Sequence, residues 1–94
     1  MSILPAPDTK LGSVLRAMAF AGPMTAGGIR TKAKLAPDTA VTARIRDLRK
    51  MGCVVSCYNV PQGDGKQLWY YRMDHMPSFV VDALTKEAKR RIAA

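Results

Sequence analysis

The sequence predicts a small α+β domain, mainly α, with three helices, a two-stranded β-hairpin and an additional C-terminal helix. Apolar residues recur at helical spacing over residues 9–52, which predicts the helices. Residues 53–73 instead form two runs rich in β-branched and aromatic residues around a polar loop with two glycines, which predicts the hairpin. The 94 residues suggest one domain, and the 48% that are hydrophobic suffice for a modest core. We expect a flexible lead-in at 1–8, the main domain at 9–74 and the last helix at 77–94.

The charge balance points to a polyanionic partner. Fifteen Lys and Arg residues stand against seven Asp and Glu, which gives a net charge of +8 and a pI of about 10.0. Nucleic acid is the commonest polyanion in a cell, so a nucleic-acid partner is the first hypothesis. The alternative is a protein that is basic without a charge-related function. No run reaches the ~20 apolar residues of a membrane span, so we expect no membrane partner and a cytoplasmic location.

The residues that carry catalysis or bind metals are sparse. Cys53 and Cys57 are the only cysteines. On one strand they would lie about 13 Å apart, at ~3.3 Å per residue, which is too far for a disulfide. The single histidine, His75, leaves a zinc site without enough ligands. The acidic residues are scattered, and no nucleophile or phosphate-cradling glycine motif is present. We therefore expect no metal, no cofactor and no enzymatic activity.

Two helices are predicted ahead of the most informative stretch. Thr9 can cap the first helix, which continues to about Ala21 before Gly22-Pro23 ends it. Thr25 opens a second helix over 25–35. That helix contains Gly27 and Gly28, each of which costs about 1 kcal/mol relative to alanine, so packing must stabilise it.

Residues 37–52, PDTAVTARIRDLRKMG, predict a third helix with capped ends. Pro37 suits a first helical position, and Asp38 places negative charge in the first turn. Arg49 and Lys50 place positive charge in the last turn, and Gly52 provides the stop.

The third helix has two unlike faces. Val41, Ile45 and Leu48 share one face at the 3.6-residue period and are predicted to be buried. The opposite face and its flank carry small, hydroxyl and basic side chains: Thr39, Thr42, Ala43, Arg46, Arg49 and Lys50. Because such a face can fit a DNA major groove, and the helix before it is joined by a short turn, the two helices form a candidate helix-turn-helix.

The period changes from helix to strand after Gly52. Residues 53–60 and 68–73 are the predicted strands, joined by the loop PQGDGKQ at 61–67. Lys66 and Arg72 give the hairpin a predicted basic edge. One face of the run Trp69, Tyr70, Tyr71 is core, with Tyr71 the favoured core residue, and the other face could stack on a base or sugar.

The last predicted helix, capped by Ser78, has an apolar stripe and a basic C-terminal half. Three interpretations remain open for it: a solvated face favoured by the helix dipole, a contact with DNA phosphates, or pairing with a second copy in a homodimer.

Residues 11–73, about two thirds of the chain, resemble the small winged helix-turn-helix DNA-binding proteins of bacteriophages and bacterial mobile elements. In that family an Ala-Arg-Ile-x-x-Leu-Arg-x-x-Gly run precedes a hairpin with a Tyr-Arg-Leu-like end. Here the run is 43–52, ARIRDLRKMG, and the end is Tyr71-Arg72-Met73. The Gly27-Gly28 pair departs from the family pattern.

The resemblance implies sequence-selective binding to double-stranded DNA, with the helix at 37–52 in the major groove and a basic wing at 60–68 on the backbone or minor groove. Base contacts would come from Thr39, Thr42, Ala43 and Arg46. Phosphate contacts would come from Arg30, Lys32, Lys34, Arg44, Arg49, Lys50 and Lys66. Arg44 is equally a candidate for a structural ion pair, with Asp47 as one partner.

The implied role is a transcriptional regulator or mobile-element accessory factor in a bacterial or phage-infected cell. The alternative is a winged-helix protein-interaction module in phage replication or packaging, without specific DNA readout.

Overall fold

The computed structural model describes residues 4–93, and side chains for residues 4–89. The chain forms a small α+β domain with four helices and a three-stranded antiparallel sheet. In chain order the elements are α1 (Lys10–Ala19), β1 (Met24–Thr25), α2 (Ala26–Lys32), α3 (Val41–Lys50), β2 (Val54–Pro61), β3 (Gln67–His75) and α4 (Ser78–Ala93). Within residues 4–93, no helix is long and apolar enough to cross a membrane.

The sheet has one strand more than the sequence predicts. The order is β1-β3-β2, with β2 and β3 forming the predicted hairpin and β1 pairing with β3 on the other side. The predicted two-stranded hairpin is therefore confirmed, and the expectation that it makes up the whole sheet is wrong. Met24 lies opposite Tyr71, and Thr25 lies opposite Tyr70. A two-residue strand is too short to show the alternating pattern by which strands are recognised, so the sequence gives no signal for it.

Helix α1 begins as predicted, with the Thr9 hydroxyl accepting from the Gly12 N–H at 3.0 Å. Residues 4–8, predicted as part of a flexible lead-in, lie against this helix. Leu4 is buried in the core, and the Arg16 guanidinium donates to the Pro5 carbonyl at 2.8 Å. Residues 1–3 of that predicted lead-in lie outside the described residues.

Helix α2 is capped by Thr25, whose hydroxyl accepts from the Gly28 N–H at 3.1 Å. It ends earlier than the predicted span of 25–35, in a turn where Lys34 has a φ of +58°. The N–H of Leu35 donates to the Arg30 carbonyl at 2.8 Å across this turn, an arrangement that satisfies the last helical carbonyls.

Helix α3 begins four residues later than the sequence predicts. Pro37 and Asp38 lie in a turn, closed by the Thr39 N–H donating to the Ala36 carbonyl at 3.0 Å. The first helical residue is Val41, and the first turn contains no acidic residue. The predicted roles of Pro37 and Asp38 at the start of the helix are therefore wrong. The predicted basic last turn and the stop at Gly52, which has a φ of +100°, are confirmed.

The core joins all four helices to the base of the hairpin. Val41, Ile45 and Leu48 are buried, as the period of α3 predicts. Helix α4 contributes Val80 and Leu84 to the same cluster. It begins at Ser78 itself, with the Pro77 carbonyl accepting from the Val80 and Val81 N–H groups, so Ser78 is the first helical residue and not the cap.

Candidate nucleic-acid interface

The outer face of α3 presents the candidate base-reading residues. Thr42 and Arg46 are exposed one helical turn apart, and Ala43 beside them is half-buried. In the described part of the chain, no side-chain hydrogen bond or ion pair engages Arg46. The face therefore offers one unoccupied guanidinium, one hydroxyl and one methyl group, the chemistry that pairs with guanine and contacts thymine methyl groups in a major groove.

Thr39 does not lie on that face. It precedes the helix and is only 7% exposed, and its carbonyl lies 3.5 Å from the Arg30 Nη1. The sequence placed it outside because the predicted helix began at Pro37. Since the helix begins at Val41, Thr39 is instead a buried residue in the otherwise largely exposed segment that connects α2 to α3.

Besides Arg30, the other two predicted phosphate-binding arginines, Arg44 and Arg49, also make contacts within the domain. Arg44 pairs with Asp47 at 3.3 Å, and both side chains are about one-third exposed. This is the structural pairing that the sequence offers as the alternative for Arg44. The Nε of Arg44 is buried without a hydrogen-bond partner among the described residues. Arg49 donates from Nη2 to the Val55 carbonyl at 2.9 Å and so links the end of α3 to β2.

The predicted phosphate-binding lysines fall into two groups. Lys50 is exposed in the last turn of α3, close in sequence to Arg46 and Arg49. Lys32 and Lys34 are exposed too, but they line a shallow cleft with Ser13 and Arg16 of the α1 region. The fold thus directs these two lysines toward α1, which a helical projection of 25–35 does not show.

The hairpin is not a basic wing. Lys66 and Arg72 are its basic residues, and Asp64 and Asp74 balance them. Asp64 accepts from the Lys66 backbone N–H at 3.0 Å, and Arg72 forms an ion pair with Asp74 at 2.6 Å. The Asp74 hydrogen bond and charge raise the pKa of Arg72. The predicted basic character of residues 60–68 is therefore wrong, because the strands and their turn carry no net charge.

The hairpin instead presents aromatic and apolar groups. Trp69 is 54% exposed, although it lies on the same side of the sheet as the half-buried Tyr71, because it belongs to the distal part of the hairpin, where every residue from Pro61 to Trp69 is exposed. On the other side, Tyr58 and Tyr70 stack with ring centroids 5.9 Å apart. Tyr71 packs against the core, as predicted, and burial together with the Cys57 thiol raises the pKa of its hydroxyl.

Positive charge is concentrated in the region from the end of α2 through α3. Residues 30–50 contain seven basic and two acidic residues, so they carry +5 of the net +8. Cys53 and Cys57 are both free thiols, and burial raises the pKa of Cys53. Among the residues for which the structure describes side chains, no three His, Cys, Asp or Glu groups are placed to share a metal ion.

Comparison with known proteins identifies no relative. No protein-family model matches the chain, and no curated protein or solved structure is significantly similar to it. Inference about function therefore depends on the geometry of this chain alone.

Two features of this surface were not apparent from the sequence. The first is the aromatic stack on the hairpin, since Tyr58 and Tyr70 become neighbours only when the register of β2 and β3 is known. The second is the bond from Arg49 to β2, which fixes the hairpin relative to α3. The alternating hydrophobicity of 53–60 and 68–73 was the available signal for the first, and no sequence signal exists for the second.

Proposed function

We propose that this chain binds double-stranded DNA as a winged helix-turn-helix protein, with α3 as the recognition helix and the β2–β3 hairpin as the wing. The observation that carries the proposal is the outer face of α3, where Thr42, Arg46 and Lys50 are exposed at helical spacing. With ten residues at 1.5 Å per residue, α3 is about 15 Å long, which suits a major groove about 12 Å wide.

In this proposal Arg46 donates two hydrogen bonds to guanine O6 and N7, while Thr42 and Ala43 contact the neighbouring bases. Lys50 and the remaining N–H groups of Arg49 bind phosphates at the end of α3, and Arg30 binds them at the end of α2. Lys66 reaches the backbone from the wing. The biological role that fits is a regulator or accessory factor of a bacteriophage or mobile element, acting in the bacterial cytoplasm.

Base readout by Arg46 is tested by comparing Arg46→Ala with Lys10→Ala, which removes the same charge from the exposed start of α1. On a selected duplex, Arg46→Ala should weaken binding by ~1–3 kcal/mol and relax the preference at one base pair. Lys10→Ala should leave the base preference unchanged. Equal affinity of parent and Arg46→Ala on that duplex would remove Arg46 from the interface.

A protein-interaction module is the second candidate. Trp69 and Leu68 are exposed on a hairpin without net charge, a surface more typical of protein contacts than of phosphate contacts. Purified protein distinguishes the two functions. A DNA-binding protein retains nucleic acid during purification and binds duplexes at 50 mM salt, whereas an interaction module does neither.

A further inference from the structure

Strand β2 forms one edge of the sheet along its whole length. The strand order β1-β3-β2 places β3 in the centre, so β2 has a strand on one side only. The neighbouring element that packs on β2 is α3, whose Arg49 reaches the strand near its start. An edge strand presents backbone N–H and C=O groups that can pair with another chain.

The hairpin register shows which residues direct those groups to the open edge. The Gln62 N–H donates to the Lys66 carbonyl at 2.9 Å, so this pair is hydrogen-bonded across the hairpin. Bonded and non-bonded pairs alternate along an antiparallel ladder. Positions 56, 58 and 60 therefore bond to β3, and Val55, Cys57, Asn59 and Pro61 face the open edge. The bond from Arg49 to the Val55 carbonyl agrees with this assignment, because it reaches that carbonyl from outside the sheet.

This edge lacks the charges that usually protect edge strands. Charged residues make up 23% of the chain, yet no Lys, Arg, Asp or Glu occurs from Cys53 to Gly63. Val54 and Tyr58 are exposed along it. Two copies of a chain with a net charge of +8 repel each other over most of their surfaces, and the uncharged edge of β2 is where they can approach with the least repulsion.

We propose that β2 pairs antiparallel with β2 of a second copy of this chain, about a two-fold axis at Tyr58. Cys57 then lies opposite Asn59 of the other copy, and the two residues exchange both backbone hydrogen bonds. Val55 lies opposite Pro61, and its N–H donates to the Pro61 carbonyl. The two sheets become one continuous sheet across a symmetric interface.

The register is set by two positions that cannot take part in a full ladder. The Val55 carbonyl is already bonded to Arg49, and Pro61 has no N–H to donate. The two-fold axis at Tyr58 places these positions opposite each other, so neither leaves a group unpaired. An axis at Cys57 would instead direct the Asn59 N–H to the occupied Val55 carbonyl.

The same axis extends the aromatic stack. Tyr58 bonds to β3, so across the proposed interface it is a non-hydrogen-bonded position, where opposed Cα atoms lie about 4.5 Å apart. The two Tyr58 rings therefore face each other beside the existing Tyr58–Tyr70 stacks. Cross-strand aromatic pairs stabilise sheets, so the interface has side-chain as well as backbone contacts.

Sedimentation equilibrium of the full chain tests the pairing, with Leu68→Lys as the control for Tyr58→Lys. Leu68 is exposed on the same side of the sheet but lies on the central strand, so both variants add the same charge to the hairpin. We expect the parent and Leu68→Lys to form dimers of similar affinity. The dimer affinity of Tyr58→Lys should be at least about tenfold weaker, because two lysines meet at the axis. Circular dichroism melting establishes that both variants fold.

A monomeric parent at every concentration would overturn the proposal. So would a dimer that survives Tyr58→Lys, which would direct attention to the C-terminal helix as the contact. Neither measurement involves DNA, so the result is independent of the proposed DNA binding.

Disulfide trapping tests the register. Tyr58→Cys combined with Cys57→Ser should form a disulfide-linked dimer on mild oxidation, since a separation of about 4.5 Å lies within the span of a disulfide. The parent, with its native Cys57, is the control and should crosslink less. Efficient crosslinking through Cys57 with none through Tyr58→Cys would overturn the proposed axis.

Discussion

Residues 4–8 pack against α1 at Gly12, so Gly12→Ala and Gly27→Ala, two glycine-to-alanine substitutions in helices, should have opposite effects on stability. A Cβ on Gly12 would overlap the Ala6 carbonyl oxygen and would lie 2.7 Å from the Ala6 carbonyl carbon and 2.9 Å from the Pro5 oxygen. A Cβ on Gly27 would have its nearest neighbours at 3.9 and 4.0 Å, which is ordinary contact. Alanine favours a helix over glycine by about 1 kcal/mol, so both substitutions gain this term and only Gly12→Ala meets a clash.

The clash can be relieved by displacement of residues 4–8. The resulting loss of folding free energy then has an upper bound, set by the contacts that these residues make. Displacement exposes Leu4, worth about 2 kcal/mol, and breaks hydrogen bonds such as that from Arg16 to Pro5, worth about 1 kcal/mol each. Regained chain entropy and the helical preference of alanine offset part of this. We expect a net destabilisation of about 2 kcal/mol for Gly12→Ala.

Thermal unfolding followed by circular dichroism measures both variants. For a domain of this size, 1 kcal/mol shifts Tm by roughly 4–8 °C. Gly12→Ala should therefore lower Tm by on the order of 10 °C, and Gly27→Ala should raise it by up to about 5 °C. A Gly12→Ala protein as stable as the parent would show that residues 4–8 do not pack on α1 in solution.

Further predictions concern α4, the α2 turn, the interface and the buried thiol. Glu87→Gln should destabilise the domain by about 1–2 kcal/mol in urea unfolding, because its carboxylate pairs with the largely buried Arg16 guanidinium; Lys86→Gln on the same helix should not. Lys34→Gly should stabilise by up to about 1 kcal/mol in the same assay, because it relieves the left-handed φ of +58°. Lys50→Ala should reduce the slope of log K against log salt by about 1 in DNA titrations, and an unchanged slope would exclude a phosphate contact. Burial raises the pKa of Cys53 above its usual value of 9.0. The protonated thiol therefore favours the folded state below pH 9, and this contribution is lost as pH rises through the raised pKa. A Cys53→Ala protein should lose less stability than the parent between pH 8 and about 10.

Sequence periodicity predicted the elements with long amphipathic patterns. The buried positions of α3, the caps of α1 and α2, and the pairing of β2 with β3 are confirmed because each depends on local spacing or on a local hydrogen bond. The predicted start of α3 was wrong, because Pro37 and Asp38 suit the first turn of a helix and a reverse turn equally well. In the turn that precedes α3, Thr39 is buried and its carbonyl contacts Arg30. These are tertiary contacts, which local sequence patterns do not reveal.

The candidate site was predictable only in part. The exposed placement of Thr42 and Arg46 follows from the helical period. The ion pair of Arg44 could be anticipated from the sequence, because Asp47 lies three positions along the same helix. The bond of Arg49 could not be anticipated, because its acceptor is a carbonyl on the next strand. β1 was missed because two residues carry no period, and its pairing depends on β3 being already in place.

Selection of bound duplexes from a random DNA pool, at 50 and 200 mM salt, tests most directly whether α3 reads DNA. We expect an enriched motif that persists at the higher salt concentration and that loses its preference at one position when Arg46 is replaced by alanine. If β2 pairs two copies, the motif should contain two related half-sites. Binding without an enriched motif that disappears at 200 mM salt would contradict sequence readout by α3 and leave only a basic surface.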